Sequence, residues 1–298
     1  MNGYTTGNVD ATTAESFTGT ISDLNTLYAA AASSGDGIKG LGSEAATVTD
    51  SSVSASDLNT LNTNTDYNIT VNATAISGSL SDVSTLYGNK AADSDADTDG
   101  FTGLGNEAIT LTDTGSIAAS TLLTVAQANS SGTVDASNAG TITGTAQQIT
   151  GDYDDSTITE ASDVALTVNT ANSGTATLTQ ARSLDDLTTG VITATIADTA
   201  LSDLLDDSTP LLDANGNNAF TITIGTGDDE VSAADLNTLD GLTTVAIDAG
   251  NVTTITSSSL ADINTLYASS GFSGLGDQDI TASDSGSIAA STITTVSY

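Results

Sequence analysis

The chain has no cysteine, histidine or tryptophan, one proline and one methionine, and only three cationic side chains against 38 acidic ones. Each absence excludes something. Without cysteine there is no disulfide framework. Without thiols and imidazoles, cysteine nucleophiles, most zinc sites and the commonest general base are gone. Three cations cannot neutralise a phosphate backbone, so nucleic acid is excluded as a partner. A formal net charge of -35 is repelled by an anionic membrane surface. No apolar run approaches the length of a bilayer span, so no membrane insertion is expected. Aromatic residues make up only 4% of the chain, and the hydrophobic 38% is mostly Ala, Val, Ile and Leu, which points to a thin core with small fillers. Polar, glycine-rich composition of this kind suits disorder. Against disorder, β-branched Thr, Val and Ile recur in short alternating runs, the pattern of half-buried strands. The single proline, Pro210, leaves strand pairing largely uninterrupted.

What the chain does have is repetition. One phrase reads Thr20-Ile-Ser-Asp23-Leu-Asn-Thr-Leu27 and returns with caps at Ser54, Ser79, Ser232 and Ser259, and in weaker form at Ser183 and Thr145. A second, G-[IF]-x-G-L-G, occupies 37–42, 100–105 and 271–276; strand-like runs end in an acidic turn at Asp50, Asp113 and Asp284. A further phrase covers 69–73, 132–136 and 245–249. Val48 to Val71 and Leu111 to Val134 are both 23 residues apart. Short coils therefore alternate with longer ones carrying G-L-G. The reading is one continuous array over 1–298, with approximate modules 17–76, 77–141, 142–220 (degenerate) and 221–298.

Each phrase has a local physical reading. Ser or Thr followed three residues later by Asp is a capping box, in which the hydroxyl takes a first-turn N–H and the acid returns the bond. Leu-x-x-Leu after it forms one face of a single helical turn. The Thr-Val-Thr runs are strands with one buried face, and the G-L-G glycines supply positive φ. The expected fold is all-β: a parallel β-solenoid (β-helix) with short one-turn helices in the coils, stacked at about 4.8 Å. Tandem β-sandwich domains are the alternative.

The wording S-x-x-D-L-N-T-L with T-T-V-x-[IV]-D-A and G-[IF]-x-G-L-G resembles the repeats of very long, acidic surface or secreted proteins of marine picocyanobacteria and related bacteria. The likeness covers about two thirds of the chain and is weak in 142–220. It implies a non-enzymatic structural or adhesive role at the cell surface or outside the cell. The glycine-rich nonapeptide of calcium-binding secreted repeats is absent, so the resemblance does not extend to a calcium-filled roll.

Several residue groups point to chemistry. Asp95-Ala-Asp97-Thr-Asp99-Gly100 matches the opening of an EF-hand loop, where alternating carboxylates converge on Ca2+ and glycine permits the bend. Asn106 stands where the closing acid belongs, so a solvated insertion is the preferred reading and Asp95, Asp97 and Asp99 the candidate metal ligands. Asp213-Ala-Asn215 and Asp228-Asp229-Glu230 are weaker versions that read as turns. Asp113-Thr114-Gly115 and Asp284-Ser285-Gly286 match the D-[TS]-G pair of aspartic proteases, in which two carboxylates share a proton. Both lie in the same repeat phrase, however, and Thr112 and Ser283 precede them where that family has apolar residues. A β-helical polysaccharide enzyme needs cations beside its acids, and Lys39, Lys90 and Arg182 are scattered. Thr-x-Thr runs at 110–112, 141–143, 175–179, 193–195 and 221–223 invite an ice-binding reading, which buried-strand alternation explains more simply.

No amphipathic cap helix or secretory signal is visible, and Thr294–Tyr298 falls in the middle of a repeat phrase. The expectation is a segment of a longer protein or a chain that self-associates end to end. The functional reading is a structural repeat module of an extracellular filament, fibre or surface adhesin. A module binding carbohydrate, such as cell-surface glycans, or ice, with Ca2+ as an aid, is one alternative; a virus tail fibre segment is another. Mutual repulsion of the acids predicts that stability rises with salt or Ca2+.

Overall fold

A computed structural model describes residues 7–31, 37–90, 100–169, 174–197, 200–205, 217–288 and 291. The chain packs as two compact units, residues 1–140 with 151–161 and residues 141–150 with 162–298.

In the first unit the order is β1 (Val9–Asp10), β2 (Ser16–Gly19), α1 (Ile21–Ala29), β3 (Ile38–Lys39), β4 (Ala45–Val48), β5 (Ser52–Ser54), α2 (Ala55–Asn62), β6 (Asn68–Val71), β7 (Ala75–Gly78) and α3 (Leu80–Gly88). Then follow β8 (Gly100–Thr102), β9 (Ala108–Leu111), β10 (Ser116–Ala118), α4 (Ala119–Ala128) and β11 (Thr133–Asp135). After β12 (Thr141–Gly144) and α5 (Ala146–Asp154), the unit takes β13 (Ile158–Thr159). Its sheets run β1–β3, β2–β4–β6–β8 and β5–β7–β9–β11–β13, paired in parallel. In this unit the repeats with the G-L-G phrase carry three strands (β3 to β5, β8 to β10) and those without carry two, and the extra strand β5 starts the β5–β7–β9–β11–β13 ladder.

The second unit holds β12, β14 (Ala165–Val168), β15 (Thr175–Ala176), α6 (Leu178–Asp185), β16 (Ile192–Ile196), α7 (Leu201–Leu204), β17 (Ala219–Thr221) and β18 (Glu230–Val231). It continues with α8 (Ala233–Asp240), β19 (Ile247–Asp248), β20 (Thr254–Ser258), α9 (Leu260–Ala268), β21 (Phe272–Ser273) and β22 (Asp279–Ala282). Here β12–β14–β16 form a parallel ladder, with β15 and β17 also on β16. Two further ladders are β18–β20–β22 and β19–β21.

This is an α/β protein, not the all-β solenoid expected from the sequence. The sheets are parallel only, with helices between strands, which also removes the antiparallel β-sandwich. The difference lies in helix length. The S-x-x-D phrases do not stop after one turn: α1 runs nine residues, α2 eight, α3 nine, α8 eight and α9 nine. Asn and Thr are poor helix formers, and the repeat compensates for them one by one. The helical Thr hydroxyls bond back to the carbonyl four residues earlier, as Thr60 does to Ser56 at 2.9 Å and Thr85 to Ser81 at 2.9 Å. The Asn side chains leave their own helix for the next: Asn25 Nδ2 donates to the Asp57 carbonyl (3.1 Å), Asn59 to Asp82 (2.9 Å) and Asn237 to Asp262 (2.9 Å). Successive helices thus form a layer of their own, α1 against α2, α2 against α3, α3 against α4, and α8 against α9.

The core is the space between helix layer and sheets. The helices contribute the residues one, four and seven after the cap, as in Ala55, Leu58 and Leu61; the strands contribute alternate residues such as Ala46 and Val48 or Ile69 and Val71. Each fully buried Leu or Ile adds about 1.5–3 kcal/mol. The 23-residue spacing pairs Val48 with Val71 in register. It does not do so for Leu111 and Val134, because Val134 aligns with Ile109.

Candidate functional site

The acidic turns that suggested a protease serve as helix caps. An α-helix leaves its first N–H groups without internal partners. In α1, the Thr20 hydroxyl accepts from Asp23 N (3.1 Å), and Asp50 from the following strand turn accepts from Ile21 N at 2.7 Å. Asp113 does the same for Leu80 N (2.7 Å) and Asp284 for Leu260 N (2.7 Å). Asp228 caps Leu201 N at 2.9 Å, and Ser258 substitutes for the acid at Ala233 N (2.7 Å). Each carboxylate sits where the positive end of the helix dipole favours it. A carboxylate occupied this way ties neighbouring repeats together.

The capping boxes also divide by residue type. Gln180 returns the bond to Thr177 N (2.9 Å), and Gln148 does so to Thr145 N (2.9 Å). In the aspartate copies the side chain is one methylene shorter and instead accepts the cap's own hydroxyl, Thr20 to Asp23 at 2.8 Å and Ser79 to Asp82 at 2.7 Å.

A second polar device emerges only in three dimensions. Two residues after each G-L-G stands Glu44, Glu107 or Gln278. Glu44 Oε2 accepts from Gly42 N and Ser43 N, Glu107 Oε2 from Gly105 N and Asn106 N, and Gln278 Oε1 from Gly276 N. The preceding glycine must be glycine: Gly103 has φ 87°, and a Cβ there would collide with the Val71 carbonyl oxygen. A tyrosine from the preceding helix closes the site. Tyr87 OH donates to Glu107 Oε2 at 2.5 Å and lies 3.0 Å from Asn129 Oδ1, while Tyr267 OH donates to Gln278 Oε1 at 3.2 Å. Asn129 and the Glu107 backbone exchange two further bonds, 3.1 and 2.8 Å. Glu107 is completely buried. Burial, and then the Glu107 carboxylate, push the Tyr87 phenol far above its usual range, so it remains a donor. The sequence signal was present: eight residues after the cap, the helices that precede G-L-G carry Tyr28, Tyr87 and Tyr267, where α2 and α8 carry Asn62 and Asp240.

The proposed calcium ligands Asp95, Asp97 and Asp99 lie outside the described residues, as do Asp213 and Asn215. Among the described residues no three acidic side chains gather as a metal-holding group, and none of the helices is long and apolar enough to cross a membrane. Lys90 Nζ donates to the Ala128 carbonyl (3.3 Å) and Arg182 to that of Asp203 (3.3 Å), so both cations are tied to backbone. On the outer face of β2–β4–β6–β8, Thr18, Thr47, Thr70 and Thr102 stand in register, with the last two hydroxyls 3.2 Å apart. No family model matches the chain, and neither the curated proteins nor the solved structures contain a match.

Proposed function

We propose that the protein is a structural repeat module of an extracellular or cell-surface filament, fibre or adhesin, and that copies join end to end. The observation that carries this reading is β22. It pairs with β20 on one edge, with Ile280 in register with the fully buried Ile255. No described strand covers its other edge, and all four of its residues are exposed. At the other end of the order, β2 pairs only with β4 among the described residues. A parallel edge that no described strand covers is of the kind that accepts a further strand. The resemblance to long acidic surface repeats supports the same reading, as does the use of the acids at Asp50, Asp113 and Asp284 for capping. Sedimentation velocity in seawater-like salt tests it. The native chain should form larger species as concentration rises, and Ile280→Lys should reduce them. A sedimentation coefficient independent of concentration would overturn it.

The threonine row on β2–β4–β6–β8 favours a second reading, a surface that binds a repetitive hydroxylated target, either carbohydrate or ice. Glycan-array binding or thermal hysteresis lost on Thr70→Val would support it.

A further inference from the structure

Seven residues after the cap, α1, α2, α3, α6, α8 and α9 place Leu27, Leu61, Leu86, Leu184, Leu239 and Leu266. In α5, counted from its cap Thr145, the same position is Asp152. Asp152 is fully buried, and neither of its carboxylate oxygens has a hydrogen-bond partner. A lone buried carboxylate without donors is among the most unfavourable groups a core can hold. Its surroundings add to the problem. Glu160 lies one residue beyond the register pair Asp135–Thr159, and strand alternation turns it to the same inner face as the buried Ile158. Its Oε1 is buried without a partner, as is the Tyr153 hydroxyl.

We infer that Asp152 and Glu160 form a proton-holding pair, a pH-sensitive joint in the first unit that packs when the carboxyls are protonated and loosens when both ionise. This does not rest on the filament reading. Protonation relieves the repulsion that the Glu160 charge exerts on Asp152 and leaves each carboxyl an O–H donor. The other titratable groups nearby do not supply an alternative counter-charge. Asp155, in the turn after α5, is a third acid; Asp154 on α5 is exposed; α4 carries no titratable residue. On β11, Asp135 is occupied by the Ser137 hydroxyl and N–H, which hold its carboxyl below the usual range. Burial, then Glu160 and Asp155, push Asp152 up to about 8. Burial raises Glu160 to about 7, with its own backbone N–H pulling the other way and Asp155 adding to the rise.

Since the folded-state values lie above those of the unfolded chain, the folded state binds more protons and stability falls as pH rises through this range. The unfolding equilibrium constant should grow by up to about tenfold per pH unit for each proton. The composition makes the test clean. With no histidine or cysteine, raised carboxyls and the α-amino group are the groups that titrate between about pH 6 and 9.

The test is denaturant unfolding of the full chain at pH 6, 7.5 and 9 in 1 M NaCl. The expected result is a midpoint that drops with pH in the native chain. It should be higher and less pH-dependent in Asp152→Leu, and flat in Asp152→Asn combined with Glu160→Gln. A native midpoint that does not change from pH 6 to 9, or a double variant with the native slope, would overturn the inference. So would rescue of the native chain at pH 9 by millimolar Ca2+ that both variants lack, which would make the pair a cation site.

Discussion

Replacing Asp113 by alanine separates the two roles open to that residue. As a cap, its carboxylate accepts the Leu80 N–H at 2.7 Å from a turn 33 residues further along the chain. Removing it leaves the first N–H of α3 without an acceptor, at a partly buried site between adjacent repeats. Hydrogen bonds to charged groups contribute about 1.5–3 kcal/mol, and lost helix caps cost about 0.5–2 kcal/mol. Removing one acid from a strongly anionic chain returns a little of that, since repulsion falls. The expected net loss is about 1–2 kcal/mol. Asp113→Asn, which keeps an acceptor oxygen in place, should lose less than half as much. The assay is equilibrium urea unfolding in high salt, followed by circular dichroism at a helix-sensitive wavelength. If Asp113→Ala unfolds at the native midpoint, the capping argument fails. An acid-protease activity in the native chain, abolished by both substitutions, would favour the dyad reading instead.

Three other outcomes follow from the same contacts. Glu107→Ala removes the acceptor for Gly105 N, Asn106 N and the Tyr87 hydroxyl and should cost about 2–4 kcal/mol in urea unfolding; Glu107→Gln should be tolerated within about 1 kcal/mol, because Gln278 fills the equivalent place. Asn59→Ala breaks the side-chain bond from α2 to α3, 2.9 Å to the Asp82 carbonyl, and should lower the midpoint by about 1 kcal/mol, while Asn59→Asp, which replaces the donor with a charge facing a carbonyl, should cost more. Raising NaCl from 20 mM to 0.5 M should raise the melting temperature, because screening acts on a net charge of -35; a melting temperature unchanged by ionic strength would count against repulsion as a main destabilising force.

How much of this could be read from the sequence depends on the distance over which each contact acts. Contacts within one phrase were legible. The hydroxyl caps at Thr20, Ser54, Ser79, Ser232 and Ser259, the in/out alternation of Ala46–Val48, and the pairing of Val48 with Val71 all follow from residues a few positions apart or from one fixed spacing. Helix length was not, because Asn25, Thr26 and their equivalents are poor helix formers taken alone. The Asn side chains are satisfied by the next repeat's carbonyls, 23 to 32 residues away, which no local window contains. The aspartates were misleading for the same reason. D-[TS]-G looks like a catalytic loop until the N–H donor to its aspartate is traced to a helix that starts 33 residues earlier for Asp113 and 24 for Asp284. The Glu or Gln after G-L-G stands in plain view in the sequence, but its meaning depends on a tyrosine in the preceding helix. Asp152 was also visible, as the one acid in a column of leucines, once α5 was aligned on its cap.

The most direct test of the account is electron microscopy of the purified chain in seawater-like salt, from dilute to concentrated solution. Copies joined through the exposed edge of β22 should appear as strings that lengthen with concentration and shorten in Ile280→Lys. Separate particles of one size at every concentration, in both proteins, would contradict it.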